Sequence, residues 1–215
     1  MGRLLALLAA IAFVPFHLAI AALIFIGDRG PVFYRSRRLG KDGRPFDMFK
    51  YRSMRVECGV FIDDGFKTVV TADDTRVTAA GRFLRWGADE IPQLLNVIRG
   101  EMAWIGPRPD ELWMLPNYGP AIRRRLSVQP GITGLAQVCG SRKLATPEVY
   151  ALEIWAAQHR TAALTLLIAA MTPLFVLGWR RIGRPLLERA HTNPEVIEIE
   201  RACEQELLTC RKSSS

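Results

Sequence analysis

Between Leu4 and Ile26 the chain reads LLALLAAIAFVPFHLAIAALIFI, 23 residues without a formal charge. As straight helix such a run measures roughly 35 Å at about 1.5 Å per residue, enough to cross a hydrocarbon core of about 30 Å. Pro15 sits at its midpoint, where it removes a backbone donor and clashes with the carbonyl of Ile11. Broken there, each arm is about 11 residues, or roughly 16 Å, and reaches about half of the bilayer. The residues alone allow a re-entrant hairpin or a one-pass helix, because proline also occurs in spanning helices. A cleaved signal peptide fits worst. The apolar run continues past the small-residue site Ala19-Ile20-Ala21, and only Arg3 precedes it. Arg29, Arg35, Arg37, Arg38, Lys41 and Arg44 follow the run, so either geometry places the body on the cytoplasmic side. His17, near the break, is given no role.

The 215 residues suit one domain with an appended membrane element. Hydrophobic residues at 49% and charged residues at 23% exclude wholesale disorder. Cys58, Cys139, Cys203 and Cys210 form no C-x-x-C pair, which argues against a zinc site or disulfide scaffold and for a reducing compartment. The net charge is +8, yet no nucleic-acid module accompanies it. Lipid headgroups are therefore the expected partners of Arg123, Arg124, Arg125, Arg180, Arg181 and Arg184.

Residues 31–54 read as a β-hairpin about the turn Gly40-Lys41-Asp42-Gly43, with Lys50 and Arg52 on one strand face and Phe49 and Tyr51 on the other. Two cations on one face suggest an anion site, although a solvated edge strand carries the same pattern. Residues 57–75, with Asp63, Asp64, Asp73 and Asp74, read as a loop. The spacing of Ile91, Leu94, Leu95 and Ile98 predicts a helix from Asp89 to Gly100, with Asp89 at the N-cap. A capping Asp followed by a first-turn Glu is the ordinary meaning of that pair. The same geometry also stabilises negative charge and offers donors to a phosphate. In Gly106-Pro107-Arg108-Pro109 two prolines fix the backbone around Arg108, which suits bidentate phosphate recognition or a structural pairing with Asp110. The turn Pro130-Gly131-Ile132-Thr133-Gly134 is suited to bring backbone close to a ligand, though it matches no phosphate-loop pattern. A helix is expected over 147–159, capped by Thr146 with Pro147 first. Thr161–Gly178, flanked by Trp155 and Trp179, is expected as an interfacial helix. The charged tail from Glu188 is expected to be helical, then frayed.

Taken in order, Gly30-Pro31-Val32-Phe33, Lys50-Tyr51-Arg52-Ser53-Met54, Asp89 through Val97, Gly106-Pro107-Arg108-Pro109 and Pro130 through Gly134 resemble the bacterial sugar transferase family, the monotopic polyprenol-phosphate phosphoglycosyl transferases of minimal, catalytic-domain-only type. The resemblance runs to about residue 180. It implies an α+β, helix-dominated fold: a re-entrant helix-break-helix at residues 1–27 broken at Pro15, a domain at 28–187 with a small β-hairpin and interfacial amphipathic helices around a cytoplasmic active site, and a charged tail at 188–215. It implies transfer of a sugar-1-phosphate from a UDP-sugar to undecaprenyl phosphate at the cytoplasmic face of the bacterial inner membrane, the initiating step of exopolysaccharide and glycoconjugate assembly. Asp89 is then the nucleophile and Glu90 its partner, with Mg²⁺ held at the pair. Lys50, Arg52, Arg108 and Arg85 are the cations expected to hold donor phosphates or nucleotide. Oligomeric state, a homodimer included, is left open.

Several positions depart from the family pattern. Gly87-Ala88 stand where Ser-Leu is usual, and the segment from Arg85 to Asp89 is one residue short. Val14 replaces a frequent Ser, Leu135 a Trp and Cys139 an Asn. These changes make a catalytically inactive membrane scaffold one alternative reading, and a membrane-tethered phosphohydrolase that uses the same acidic pair to split nucleotide sugars with water is another.

Overall fold

The computed structural model describes residues 2–55, 74–85, 87–141, 143–179 and 182–213. The expected loop at 57–75 therefore lies, apart from its last two residues, outside the described residues, as do Cys58, Arg180 and Arg181. The chain divides into two compact units, Met1–Ser36 with Asp47–Gly100 and Arg37–Phe46 with Glu101–Ser215.

The first unit opens with α1 (Gly2–Ala12) and α2 (Val14–Asp28), whose axes differ by 58° across a break at Phe13. Pro15 lies in the first turn of α2, where a missing N–H interrupts no helical bond, so the helix breaks just ahead of it. No single helix among the described residues is long and apolar enough to cross a membrane; this bent pair reaches that length and apolar composition only with its two arms taken together. Ala6 and Ile24 are buried, whereas Leu4, Leu8, Phe16, Leu18 and Ile26 face outward, Ile26 with 78% of its surface exposed.

The hairpin forms from β1 (Phe33–Leu39) and β2 (Pro45–Tyr51) about a tight turn at Lys41–Gly43. It is followed by α3 (Ala79–Leu84), capped by the Thr78 hydroxyl on the Gly81 N–H, and by α4 (Leu94–Arg99). Packing joins α1 to α4 and α2 to α3. Ile24, Tyr51, Ala80 and Leu84 form the buried core, with Ile20, Val32, Ala88 and Ile91 packed against it.

In the second unit β3 (Ala103–Ile105) and β4 (Gly131–Thr133), separated in sequence by α5 (Pro120–Arg123), pair in parallel, Ala103 opposite Gly131 and Ile105 opposite Thr133. The expected glycine turn is thus a strand. A Cβ on Gly131 would lie 2.1 Å from the Gly106 nitrogen, and one on Gly134 would lie 2.4 Å from the Gly106 oxygen. Glycine here admits the neighbouring backbone rather than a ligand.

Next come α6 (Leu135–Val138), α7 (Thr146–Gln158) and α8 (Ala162–Val176). The N-cap of α7 is Ala145, one residue before the expected Thr146, because the Glu148 carboxylate reaches back to accept from the Ala145 N–H at 2.6 Å. The Thr161 hydroxyl caps α8, which buries Ile168 and Met171 and turns Leu166 outward; Leu177 and Trp179, just past its end, are also exposed. Leu135, Ala136, Val138, Leu144, Leu152, Ile168 and Met171 belong to one core cluster.

The tail forms α9 (Arg184–His191) and α10 (Pro194–Ser213), and α10 packs on α7 and α5. Val196, Ile199, Cys203 and Leu207 are buried along it, a helical stripe at spacings of three and four inside a charged sequence. The Glu206 carboxylate accepts from the Ala121 and Ile122 N–H groups at 2.7 and 3.0 Å and so caps α5. The tail is helical as expected and docks through this apolar stripe, while its last two residues, where fraying was expected, lie outside the described residues.

That docking has a measurable consequence. Burial pushes the thiols of Cys139 and Cys203 up to about 12, which leaves roughly one part in 10⁴ as thiolate at pH 8. Both should resist iodoacetamide in the native protein and react on denaturation, as read by peptide mass. Rapid native alkylation of Cys203 would mean that α10 is not packed.

Candidate active site

Asp89 and Glu90 lie in a tight 3-10 turn, Ala88–Gln93, that leads into α4. This corrects the expected helix from Asp89: regular α-helix begins only at Leu94, and Gly87, not Asp89, holds the N-cap position. The physical cause is local. Pro92 has no N–H to close an α-helical bond, and Gly87 at φ 124° turns the chain through a conformation that side chains disfavour. Ala88 and Ile91 anchor the turn on the core built around Ile24 and Tyr51. The acidic pair therefore rests on the same core as the N-terminal apolar helix.

Lys50 comes to the pair from β2. Its Nζ lies 3.1 Å from Glu90 Oε1, with both side chains less than one-fifth exposed. The relative placement of β2 and the turn is fixed by Asn96, which is fully buried in α4. The Phe49 N–H donates to Asn96 Oδ1 at 3.0 Å, and Asn96 Nδ2 donates to the Asp47 carbonyl at 2.7 Å. Nothing in the helical periodicity singles Asn96 out. The available signal was a polar residue between Leu95 and Val97 in a helix otherwise apolar up to its last residue, Arg99.

Phe49 and Tyr51 are buried as strand alternation requires. Arg52 is buried too, only 7% exposed, because the chain leaves the strand after Tyr51 and folds the guanidinium over Gly30. A Cβ on Gly30 would stand 2.5 Å from Arg52 Nη1. His17 of α2, expected to have no role, hydrogen-bonds with the hydroxyl of Tyr51, which lies between the two cations in sequence, and Phe33 stacks on the Tyr51 ring at 5.6 Å. Burial pushes the Tyr51 hydroxyl up to about 12. Arg85 closes α3, and its Nη1 is buried with no hydrogen-bond partner among the described residues. Nearby, Arg76 grips Asp74 with two nitrogens, at 2.6 to 3.1 Å, and holds its carboxyl down at about 2, to which Arg85 also contributes.

Arg108 belongs to the second unit, partly exposed between buried Pro107 and Pro109. Its backbone N–H donates to Glu153 Oε1 at 3.0 Å, and its carbonyl accepts from Arg125 Nη2 at 2.9 Å. Arg125 is fully buried and ion-paired to both Glu153 and Asp110. This overturns its expected place at the lipid headgroups, which Arg123 and Arg124 remain exposed enough to fill. It also shows that the cation pairing Asp110 is Arg125. Burial pushes Asp110 up, but Arg125 and the hydroxyls of Tyr118 and Tyr150 outweigh it and hold the carboxyl below its ordinary value. Glu153 is shifted the other way, by burial first and by Asp110, against the pull of Arg125.

Among the described residues no three His, Cys, Asp or Glu side chains gather into a metal cage. Two adjacent carboxylates fit a hard divalent cation of the Mg²⁺ type, which takes one or two carboxylates and completes its shell with phosphate oxygens and water.

The family model described as bacterial sugar transferase matches residues 1–178. A UDP-glucose:undecaprenyl-phosphate glucose-1-phosphate transferase of Xanthomonas campestris pv. campestris is 44% identical over 153 residues, which cover 68% of this chain and 30% of the relative. The exopolysaccharide production protein ExoY of Sinorhizobium fredii is 40% identical over 64% of this chain and 66% of its own length. EpsL of Bacillus subtilis, an uncharacterized sugar transferase, is 36% identical over 73% and 75%. The chain thus spans under a third of the first of these relatives and most of the last. With its acidic turn, its Pro-Arg-Pro segment and its N-terminal apolar helices all inside the matched span, the chain belongs to the bacterial sugar transferase family.

Proposed function

We propose that this protein transfers a sugar-1-phosphate from a UDP-hexose to polyprenyl phosphate, releasing UMP. The observation that carries this reading is the Asp89-Glu90 turn with Lys50 held 3.1 Å from Glu90, inside a chain matched to the family from residue 1 to 178. The Asp89 carboxylate forms a bond to the phosphorus bearing the sugar. The bridging P–O bond breaks, and its electron pair leaves with UMP. An oxygen of the lipid phosphate then attacks the same phosphorus and returns Asp89 as free carboxylate. Two simpler displacements replace one step that needs both substrates in place.

The obstacle is like charge. A carboxylate about 4 Å from a phosphate charge is repelled by about 4 kcal/mol at an effective dielectric of 20. Lys50 neutralises Glu90, and the buried Arg85 nitrogen supports an anion beside the turn. Arg108 and Arg52 are the further cations assigned to donor phosphates or nucleotide. A Mg²⁺ held by Asp89 and Glu90 would supply charge neutralisation on the phosphates.

The outward apolar faces of α1, α2 and α8 fit a bilayer better than water. The cations that follow α2 support placing the body at the cytoplasmic face of the inner membrane. The relatives' names make UDP-glucose the first donor to try and exopolysaccharide assembly the natural setting.

Purified protein in detergent, incubated with UDP-sugars and Mg²⁺, should release about one UMP per protein without lipid and turn over only when polyprenyl phosphate is added. Free turnover without lipid would show a hydrolase. No UMP with any UDP-hexose or UDP-N-acetylhexosamine would leave a scaffold.

A further inference from the structure

The second unit contains a buried ionic cluster that no chemistry above uses, and among the described residues it brackets the backbone of one functionally assigned residue, Arg108. Arg125 sits at its centre. Its Nε donates to Glu153 Oε2 at 2.8 Å, its Nη1 donates to the Tyr118 hydroxyl at 2.9 Å and pairs with Asp110, and its plane lies 4.1 Å over the Tyr150 ring. The Tyr118 hydroxyl donates to Asp110, and Tyr150 does so at 2.9 Å. Arg125 and Glu153 are each 3% exposed. Replacing such a cluster with apolar residues is often neutral or stabilising, so stability alone is a weak reason for it.

Its remaining donors and acceptors point in one direction. Glu153 uses Oε1 on the N–H of Arg108, and Arg125 uses Nη2 on the carbonyl of Arg108. The two peptide groups flanking a single residue are thus bracketed by an oppositely charged pair, between prolines that already fix φ at Pro107 and Pro109. The bracket is itself anchored on separate elements. Glu153 lies in α7, and Arg125 follows α5, whose N-terminus is held by Glu206 of α10.

We propose that Glu153 and Arg125 are positioning residues for Arg108, setting the peptide planes from which its side chain reaches the substrate anion. This rests on the reading of Arg108 as a ligand of the donor phosphates or nucleotide. A misplacement of about 1 Å at such a ligand costs up to about 100-fold in rate. Neither carboxamide orientation of a glutamine at 153 can satisfy both partners: its oxygen accepts from one, and its NH₂ then faces a donor on the other.

The test is a double-mutant cycle between Glu153→Gln and Arg108→Ala, read in donor KM and kcat with UDP-glucose and in binding of UMP, with thermal melting alongside. Glu153→Gln should lower kcat/KM for donor by about tenfold to 100-fold, and in the Arg108→Ala background the same substitution should change it by less than about twofold. Equal fold-losses in both backgrounds would make the cluster merely structural and overturn the proposal. Arg125→Lys keeps the charge and removes the forked donor, and it should follow the same non-additive pattern if Glu153→Gln does not fold; additivity there overturns the proposal equally. A wild-type protein that binds UMP but transfers no sugar phosphate ends the proposed function alone, since coupling between residues 153 and 108 remains readable in UMP affinity.

Discussion

Asp89→Asn is expected to abolish UMP release from the sugar nucleotide, by three orders of magnitude or more, equivalent to at least about 4 kcal/mol in the barrier. The carboxamide is nearly isosteric but has no anionic oxygen to form the bond to phosphorus. The fold should survive, because Asp89 is not the N-cap of its turn and the core beneath is built by Ala88 and Ile91. Yield, membrane association and melting should match the wild type. Trapping the wild-type protein with labelled donor before lipid is added should place a phosphosugar mass on the peptide holding residue 89. A mutant with undiminished activity would remove the nucleophile assignment and with it the two-step chemistry.

Asn96→Ala should produce a large loss of stability. It strips the partner from two buried backbone groups, the Phe49 N–H and the Asp47 carbonyl. Each costs about 1–3 kcal/mol when left unsatisfied. A drop of roughly 5–15 °C in melting midpoint is the expected size. Leu95→Ala, one residue earlier on the exposed face of the same helix, is the control and should shift the midpoint by only a degree or two. Because Asn96 ties α4 to the strand that carries Lys50, the surviving folded fraction should also transfer more slowly. Equal melting of Asn96→Ala and Leu95→Ala would show that this clip holds nothing.

Much of the outline was legible in the residues. The uncharged run with Pro15 in its middle gives a bent helix pair because a missing N–H acts within one turn, and Gly40 through Gly43 closes a hairpin for equally local reasons. The pairing of Lys50 with Glu90 followed from neither. Forty residues separate them, and Asn96 sets their register from a third position. Arg125 shows the limit most plainly. In sequence it is the last of three arginines, and charge alone assigns all three to a surface. Its burial against Glu153 and Asp110 depends on α7 and the Pro-Arg-Pro segment meeting around it.

What the sequence determined by itself was what neighbouring residues enforce: where helices break, which strand faces are apolar, and that an acidic pair precedes a helix in a family of sugar transferases. The tertiary structure alone decided which charges are buried, that the charged tail docks as α10, and that the glycines of residues 131–134 admit backbone instead of ligand. The reason is that burial and ion pairing depend on distances between segments far apart in the chain, and no local pattern of residue types specifies which distant group will cancel a given charge.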